Sequence, residues 1–551
     1  MTSTETRTDA ITEPSGGEIP PANGATTAAE PTGLAAVLGS GDHKVIGRTF
    51  IGLSLLFGLA SALALGLGVL GNLSGGGLLN GNVNLRVFTI GQFGLVFGFA
   101  LPLFLGLAMV VVPLQVGAAS LAFPRAAAAS LWGWFAGSVL LVVSYAINGG
   151  ISGGASQAVD LTFLALIIVV VSLLLGAVCV ATTAVALRAP GMTLDRVPMF
   201  TWAMLAASGV WLLTWPVLLA NVVLVRVDTD HAGLIFGTPS GQWDAVSWAF
   251  TQPQIYVLAI AVLGVIGDVI PTMAGRRQVS RNVMLVAIGV FAALSIGSWA
   301  QLVALGDVRT EPLFVLVSFA IVLPVLAAAG GWGSMLAAGR PRVGPALFAS
   351  LGALLLLVLA VVLGAVYSIG PLDLQLLVAG DTGIPMAALG QAGFVFGAVA
   401  AGFVAAAAYW SSKISGGLLP APLGLLATAT AVVGGLLWGA GLFLAGLSGR
   451  FTGLDGALDA FVVVAALGLA LVAASTVAVG LGLVGARGTS DDDPWGTGQT
   501  LEWATASPPA RGNHTDLNEI TSPEPLCDVR GDGSGDADDK PGDKPGDKEG
   551  N

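Results

Sequence analysis

The feature that most constrains this sequence is a succession of apolar runs, most of them near or above the ~20 residues that a helix needs to cross a bilayer. They lie near 45–71, 87–115, 127–148, 161–187, 198–225, 243–270, 282–305, 311–337, 344–368, 385–412, 420–447 and 458–485. Backbone polar groups in lipid have no water to bond, so each run must satisfy its own N–H and C=O groups as a helix. No strand-like alternation points to a barrel. The predicted fold is all-α: a polytopic membrane protein with twelve transmembrane helices. Only 10% of side chains are charged, against about 25% in soluble domains. The 78 glycines would let helices approach closely. This composition excludes a disordered scaffold, a disulfide-stapled secreted module and a nucleic-acid binder. Two cysteines, Cys179 and Cys527, supply neither a disulfide framework nor a four-ligand zinc site.

Three zones can be drawn. Residues 1–40, rich in Thr, Ala, Pro, Glu and Gly, bury too little apolar surface to offset chain entropy and are predicted to be a disordered arm. They also lack the apolar core of a cleavable signal peptide. Residues 41–487 form the membrane domain. Residues 488–551 are a polar tail ending in Asp-Lys-Pro-Gly repeats, whose composition favours a solvated coil. The net charge of −11 reflects acids concentrated in these two ends. Twelve basic residues fall on the side of the termini (Lys44, Arg48, Arg125, Arg188, Arg196, Arg276, Arg277, Arg281, Arg340, Arg342, Lys413 and Arg487), against Arg86, Arg226, Arg309 and Arg450 opposite. The excess predicts a bacterial-type inner-membrane protein with both termini cytoplasmic.

Intramembrane ionisable groups usually mark an ion path or proton relay, and this bundle has almost none. Asp268, beside Pro271, reads as a helix-boundary residue rather than a buried relay. Several local sequences do carry a specific pattern: GDHKVIG at 41–47, VPLQVGAASLAFPR at 112–125, LRAPGMTLDRVPMFTW at 187–202, YWSSKISG at 409–416 and DPWGTGQTLEWATASPP at 493–509. By these segments, in this order around twelve helices, the chain resembles subunit I of cytochrome c oxidase, in the heme–copper oxidase superfamily. The resemblance implies an oxygen-reducing, proton-pumping subunit holding two hemes and copper through six histidines.

Those positions are occupied otherwise here. The helix-two heme ligand falls on Gly91, and the two helix-ten heme ligands on Gly390 and Ala392. In helix six the copper histidine corresponds to Gln252 and the proton-relay glutamate to Gln254, with Tyr256 retained four residues after Gln252 and so expected on the same helical face. The paired copper histidines of helix seven correspond to Gln301 and Leu302. The proton-input aspartate corresponds to Ser120, the helix-eight lysine aligns near Val322, and the propionate-binding arginines near Thr452 and Gly453, close to Arg450. Only His43, His231 and His514 are present, and all three are predicted to be solvated. Methionine or cysteine can also ligate heme iron, but Cys179 lies in the fourth span, away from the family's ligand helices, and Met386, within about a turn of the helix-ten site, has no partner at Gly91. Small residues at 91, 390 and 392 would leave room where ligands would stand, a volume open to filling by neighbouring side chains or lipid. Tyr256 is expected to be a packed tyrosine, and the glutamines a hydrogen-bond network between helices.

The expectation is therefore a subunit I homologue without hemes, copper or catalysis, embedded in the lipid bilayer and acting structurally or regulatorily beside other respiratory oxidase subunits. Two alternatives stand: an active terminal oxidase with unrecognised ligands, and a transporter or lipid or small-molecule binder using the vacated heme cavity.

Overall fold

The computed structural model describes residues 38–73, 79, 81–151, 154–231, 235–236, 239–296, 312–372, 374, 377, 384–448, 457–514 and 517–531. Met1–Ser40 is a unit apart from Gly41–Asn551. The apolar helices of the second unit begin with α1 His43–Leu70, α2 Gly81–Gln115, α3 Pro124–Ala146, α4 Ser156–Ala186, α5 Met199–Asp230 and α6 Gln254–Ala274. They continue with α7 Arg281–Leu294, α8 Pro312–Ala338, α9 Pro345–Tyr367, α10 Met386–Ser415, α11 Ala421–Ser448 and α12 Leu458–Gly485. Eleven of these are long and apolar enough to span a membrane, and α7 is a shorter apolar helix. The chain is thus an all-α, multi-pass membrane protein. The expected seventh run, 282–305, is helical to Leu294; its remainder from 297 on lies outside the described residues, with Gln301 and Leu302. The same is true of Arg450, Thr452, Gly453 and the Asp-Lys-Pro-Gly repeats.

Local chemistry sets the helix ends. The Asp42 side chain accepts from the Lys44 amide at 2.9 Å and caps α1, supplying one of the acceptors that a helix start lacks. Proline opens α3 and α9, where no intrahelical donor is lost. Gly275, at φ 64°, closes α6 in the left-handed conformation that glycine adopts without strain.

Two elements depart from simple helix. Residues Gly94–Ala100 of α2 form a π segment, a geometry that admits an extra residue per turn. The run expected as one helix over 243–270 is broken instead. A helix at Pro239–Ser247 passes through a 3₁₀ turn to Phe250, an extended Thr251 comes next, and a second 3₁₀ segment, Gln254–Leu258, leads into the α-helical part from Ile260. Pro253 has no N–H to donate and disfavours helical backbone in the residue before it. Gln252 and Tyr256 therefore do not share a face of a continuous helix, contrary to the expectation from their spacing.

Burial sorts the bundle. The most apolar stretches of α2, α6 and α10 are wholly enclosed, whereas those of the other spans are 33–56% buried. Leu56, Leu213, Leu316, Leu323 and Leu481 point outward, as lipid requires of a bundle's rim.

Candidate functional site

Two polar regions stand out in this apolar interior. The first lies at the entrance to α6. The Tyr256 hydroxyl donates to Gln252 Oε1 at 3.3 Å or to the Ala360 carbonyl at 3.2 Å. Gln252 Nε2 reaches Ser318 Oγ of α8 at 3.2 Å and the Gly364 carbonyl of α9 at 3.0 Å. Gln254 Nε2 donates to Thr214 Oγ1 of α5 at 3.1 Å. The two amides thus tie the broken α6 entrance to α5, α8 and α9. Gln391 of α10 adds a contact to the Ala360 carbonyl at 3.5 Å, and its buried Oε1 has no partner among the described residues. A Cβ on Gly364 would overlap both the Tyr256 hydroxyl and Gln252 Oε1, so any side chain there must push one of them aside.

Around this centre the space is filled by rings. Phe93 packs edge-on against Phe250 at 5.1 Å and Trp243 at 5.7 Å, and Phe97 against Trp215 at 5.2 Å. On the α10 side Phe396 stacks on Trp438 at 5.6 Å. At Gly91 and Gly390 the space beside the small residue is filled by neighbouring helices. A Cβ at Gly91 would stand 2.8 Å from the Leu65 amide nitrogen of α1. One at Gly390 would overlap the Phe443 amide nitrogen of α11 and lie 2.7 Å from the Gly439 carbonyl. Both glycines are sites of close helix crossing. Ala392 is buried on the same wholly enclosed helix as Gly390.

The second region closes the end of the bundle where α1 begins. Gln115, at the end of α2, donates through Nε2 to Asp268 Oδ2 at 2.7 Å and to Glu502 Oε1 at 3.1 Å, and its Oε1 accepts from Thr201 at 2.7 Å. Asp268 also accepts the first amides of α5, Met199 at 2.9 Å and Phe200 at 3.2 Å. A carboxylate there satisfies orphan donors and faces the positive end of the helix dipole, so Asp268 is the boundary residue that its place beside Pro271 implies, although it is buried. Glu502, on the 3₁₀ turn Leu501–Ala504, also accepts from Trp410 Nε1 at 3.1 Å. Burial raises its carboxyl above the ordinary range, against the hydrogen bonds from Gln115, Thr500 and Trp410.

The chain after α12 is held here by many contacts. Trp503 Nε1 donates to the Tyr409 hydroxyl at 3.0 Å, which pairs with Thr272 at 2.8 Å. Lys413 Nζ donates to the carbonyls of Asp492 at 2.9 Å and Thr505 at 2.6 Å and to Ser507 Oγ at 3.0 Å. Arg530 pairs with Asp493, and Arg277 with Asp528, each at 2.5 Å. The polar composition of residues 488–531 conceals this packing, because their apolar members Leu501, Trp503 and Ile520 are buried. Two histidine expectations are corrected here. His43 is buried, donating through Nδ1 to the Met109 carbonyl at 2.7 Å and accepting from the Asn513 amide at 3.0 Å. His514 is half-buried and reaches the Leu114 carbonyl at 3.0 Å. His231, just past α5, is exposed as expected.

Residues 45–479 match the family described as cytochrome c and quinol oxidase polypeptide I. The chain belongs to this family. A Streptomyces coelicolor protein named as a cytochrome c oxidase subunit 1-beta is similar at 31% identity over 523 residues, covering 89% of each chain. A Nocardia farcinica protein of the same name is 30% identical over 480 residues, 81% of this chain and 79% of its own. Cytochrome c oxidase subunit 1 of Bacillus subtilis is 26% identical over 473 residues, 80% and 74% of the two chains.

The segments that carry the oxidase subunit I resemblance meet at one place. His43, Gln115, Tyr409, Trp410, Lys413 and Glu502 each come from one of those five segments, and they converge on the latch around the chain's C-terminal segment. Sequence reasoning singled out neither Gln115 nor Glu502, although both sit inside these segments and are rare polar side chains among apolar neighbours. Gln391, flanked by Gly390 and Ala392, carries the same signal. Cys179 and Met386 are both buried.

Proposed function

We propose that this membrane-embedded oxidase subunit I homologue holds no heme and no copper, and serves a structural or regulatory role beside other respiratory oxidase subunits. On this reading it lies in a bacterial-type plasma membrane with both termini cytoplasmic, as the distribution of basic residues supports. The observation that carries the proposal is the state of the ligand positions. At Gly91 and Gly390 neighbouring backbone stands where an imidazole would have to begin.

The donor set does not fit the family's cofactors. Heme iron takes an imidazole, thiolate, thioether or tyrosinate, and a copper centre takes several imidazoles at close range; the Tyr256 hydroxyl is already engaged with Gln252 and the Ala360 carbonyl. The chain's three histidines are His43, His231 and His514: the first and last hydrogen-bond backbone carbonyls at the latch, and His231 is on the exposed rim. Gln252 offers a neutral amide already engaged by Ser318, Gly364 and Tyr256. No step of electron or proton transfer is therefore assigned to Gln252, Gln254 or Tyr256, which act as interhelical ties.

The test is a visible absorption spectrum with iron and copper analysis of the full chain purified in detergent. The expected result is no Soret band and metal far below one atom per chain. Stoichiometric heme would overturn the proposal while leaving family membership intact. Affinity purification from native membranes addresses the remaining part, with co-purifying oxidase subunits expected.

A further inference from the structure

A groove of about 950 Å³ runs along the outer face of the α1–α12 pair, at the end where α1 begins. Its floor and walls are apolar, with Gly52 and Leu56 on one side and Gly480 and Leu481 on the other. Its mouth carries two guanidinium groups, Arg48 and Arg487. Arg48 Nε donates to the Lys44 carbonyl at 3.1 Å, and neither arginine forms an ion pair among the described residues. The two glycines give the groove its depth, since a Cβ on Gly52 would meet nothing within 4 Å and one on Gly480 only Leu55 at 3.8 Å.

The dimensions decide what fits. From Arg48 to Leu59, the furthest lining residue on α1, a helix rises about 16 Å. That is roughly half of a ~30 Å hydrocarbon core, so the groove extends from the headgroup level to the bilayer midplane and stops. A second copy of the chain would bury a strip over the full height of both helices. A phospholipid in one leaflet has the matching form: apolar chains of that length below one phosphate. Arginine's planar fork suits phosphate oxygens, and basic pockets between transmembrane helices bind acidic headgroups.

We propose that this groove is a binding site for one anionic phospholipid, with Arg48 and Arg487 clamping the phosphate and the α1–α12 channel receiving the acyl chains. Native mass spectrometry of the delipidated full chain, titrated with dioleoyl phosphatidylglycerol or dioleoyl phosphatidylcholine, tests it. One phosphatidylglycerol should be retained roughly thirty-fold more strongly than phosphatidylcholine, the scale expected from two basic side chains at a membrane surface. Arg48→Gln with Arg487→Gln should abolish that preference, and Arg48→Lys with Arg487→Lys should keep most of it. Gly52→Leu with Gly480→Leu should reduce retention of both lipids. Millimolar glycerol phosphate should not displace the bound lipid, because the acyl chains supply much of the affinity. Equal retention of the two lipids, an undiminished preference in the glutamine variant, or displacement by glycerol phosphate would overturn the site. So would a dimer that the glutamine variant dissociates with lipid retention unchanged, which would make a second copy the occupant.

Discussion

Replacing Gly364 by alanine places a methyl group where the Tyr256 hydroxyl and Gln252 Oε1 already stand. The structure sets the magnitude. Forcing a methyl into a packed interior costs about 1–3 kcal/mol. Displacing Gln252 also strains its bonds to Tyr256 and to the Gly364 carbonyl, each about 1 kcal/mol. Opposing this, alanine is better than glycine within a helix by at most ~1 kcal/mol. The clash wins by about 2 kcal/mol, and the apparent Tm in detergent at fixed scan rate should fall by several degrees. Gly333→Ala is the control, because a Cβ there meets nothing within 4 Å; it should leave Tm unchanged or raise it. Tyr256→Phe removes one of the two overlapping atoms, so Gly364→Ala combined with Tyr256→Phe should lose less than the sum of the single losses. Contacting residues couple in this way by about 0.5–3 kcal/mol. Strict additivity, or a Gly364→Ala protein as stable as the control, would refute the view of Tyr256 as a tyrosine packed into an interhelical tie.

The packing sets three further outcomes. Glu502 has its carboxyl raised by burial, so the folded state binds that proton more tightly than the unfolded chain. Its stabilising contribution is complete below the ordinary carboxyl range and is lost as pH rises through the elevated folded value; Glu502→Gln should flatten the fall of Tm as pH is raised from the ordinary carboxyl range through neutrality. Lys413→Met strands the Asp492 and Thr505 carbonyls that its ammonium group serves, at a cost of about 2 kcal/mol for charged hydrogen bonds, and limited proteolysis within 488–510 should accelerate. Gly390→Ala forces a methyl onto the α11 backbone and should lower Tm by more than Ala392→Gly does, because backbone at a helix crossing cannot step aside as a side-chain tip can.

The membrane fold was legible because its cause is local: long uncharged runs in lipid admit only helices, and eleven of the expected spans meet the length and hydropathy of a crossing. What escaped was tertiary. Gln252 and Tyr256 sit four apart in sequence, which suggested a shared helical face, but Pro253 breaks the helix and the two meet through the 3₁₀ segment that replaces it. Gly91 and Gly390 looked like vacated ligand positions, but a glycine's neighbours are unknowable from its own helix, and here they are the backbones of α1 and α11. The latch was hidden by composition. Residues 488–531 are polar on average, and only their few apolar and aromatic members, with Glu502 among them, decide where they pack.

On the proposed reading, the two polar regions also explain how a chain can keep an oxidase scaffold without binding its cofactors. The latch residues bond to backbone amides, carbonyls and one another; removing any of them strands a buried partner, which costs whether or not a metal is bound. A heme ligand is different, since its loss harms the fold only through the space and unpaired groups left behind. In this chain those consequences are met locally. Tryptophan and phenylalanine rings occupy the interior between α2, α5 and the α6 entrance, glycines let α2 and α10 close onto α1 and α11, and neutral amides at 252 and 254 find hydroxyl or carbonyl partners without a charge. The proposed non-catalytic role therefore demands something that an incidental loss of ligands would not: the interior must be stable as it stands. Restoring histidine at Gly91 and Gly390 together should accordingly unfold the chain rather than recruit heme. A histidine-restored protein that is both monodisperse at the parent Tm and red from bound heme would show that the interior keeps open the space these crossings fill.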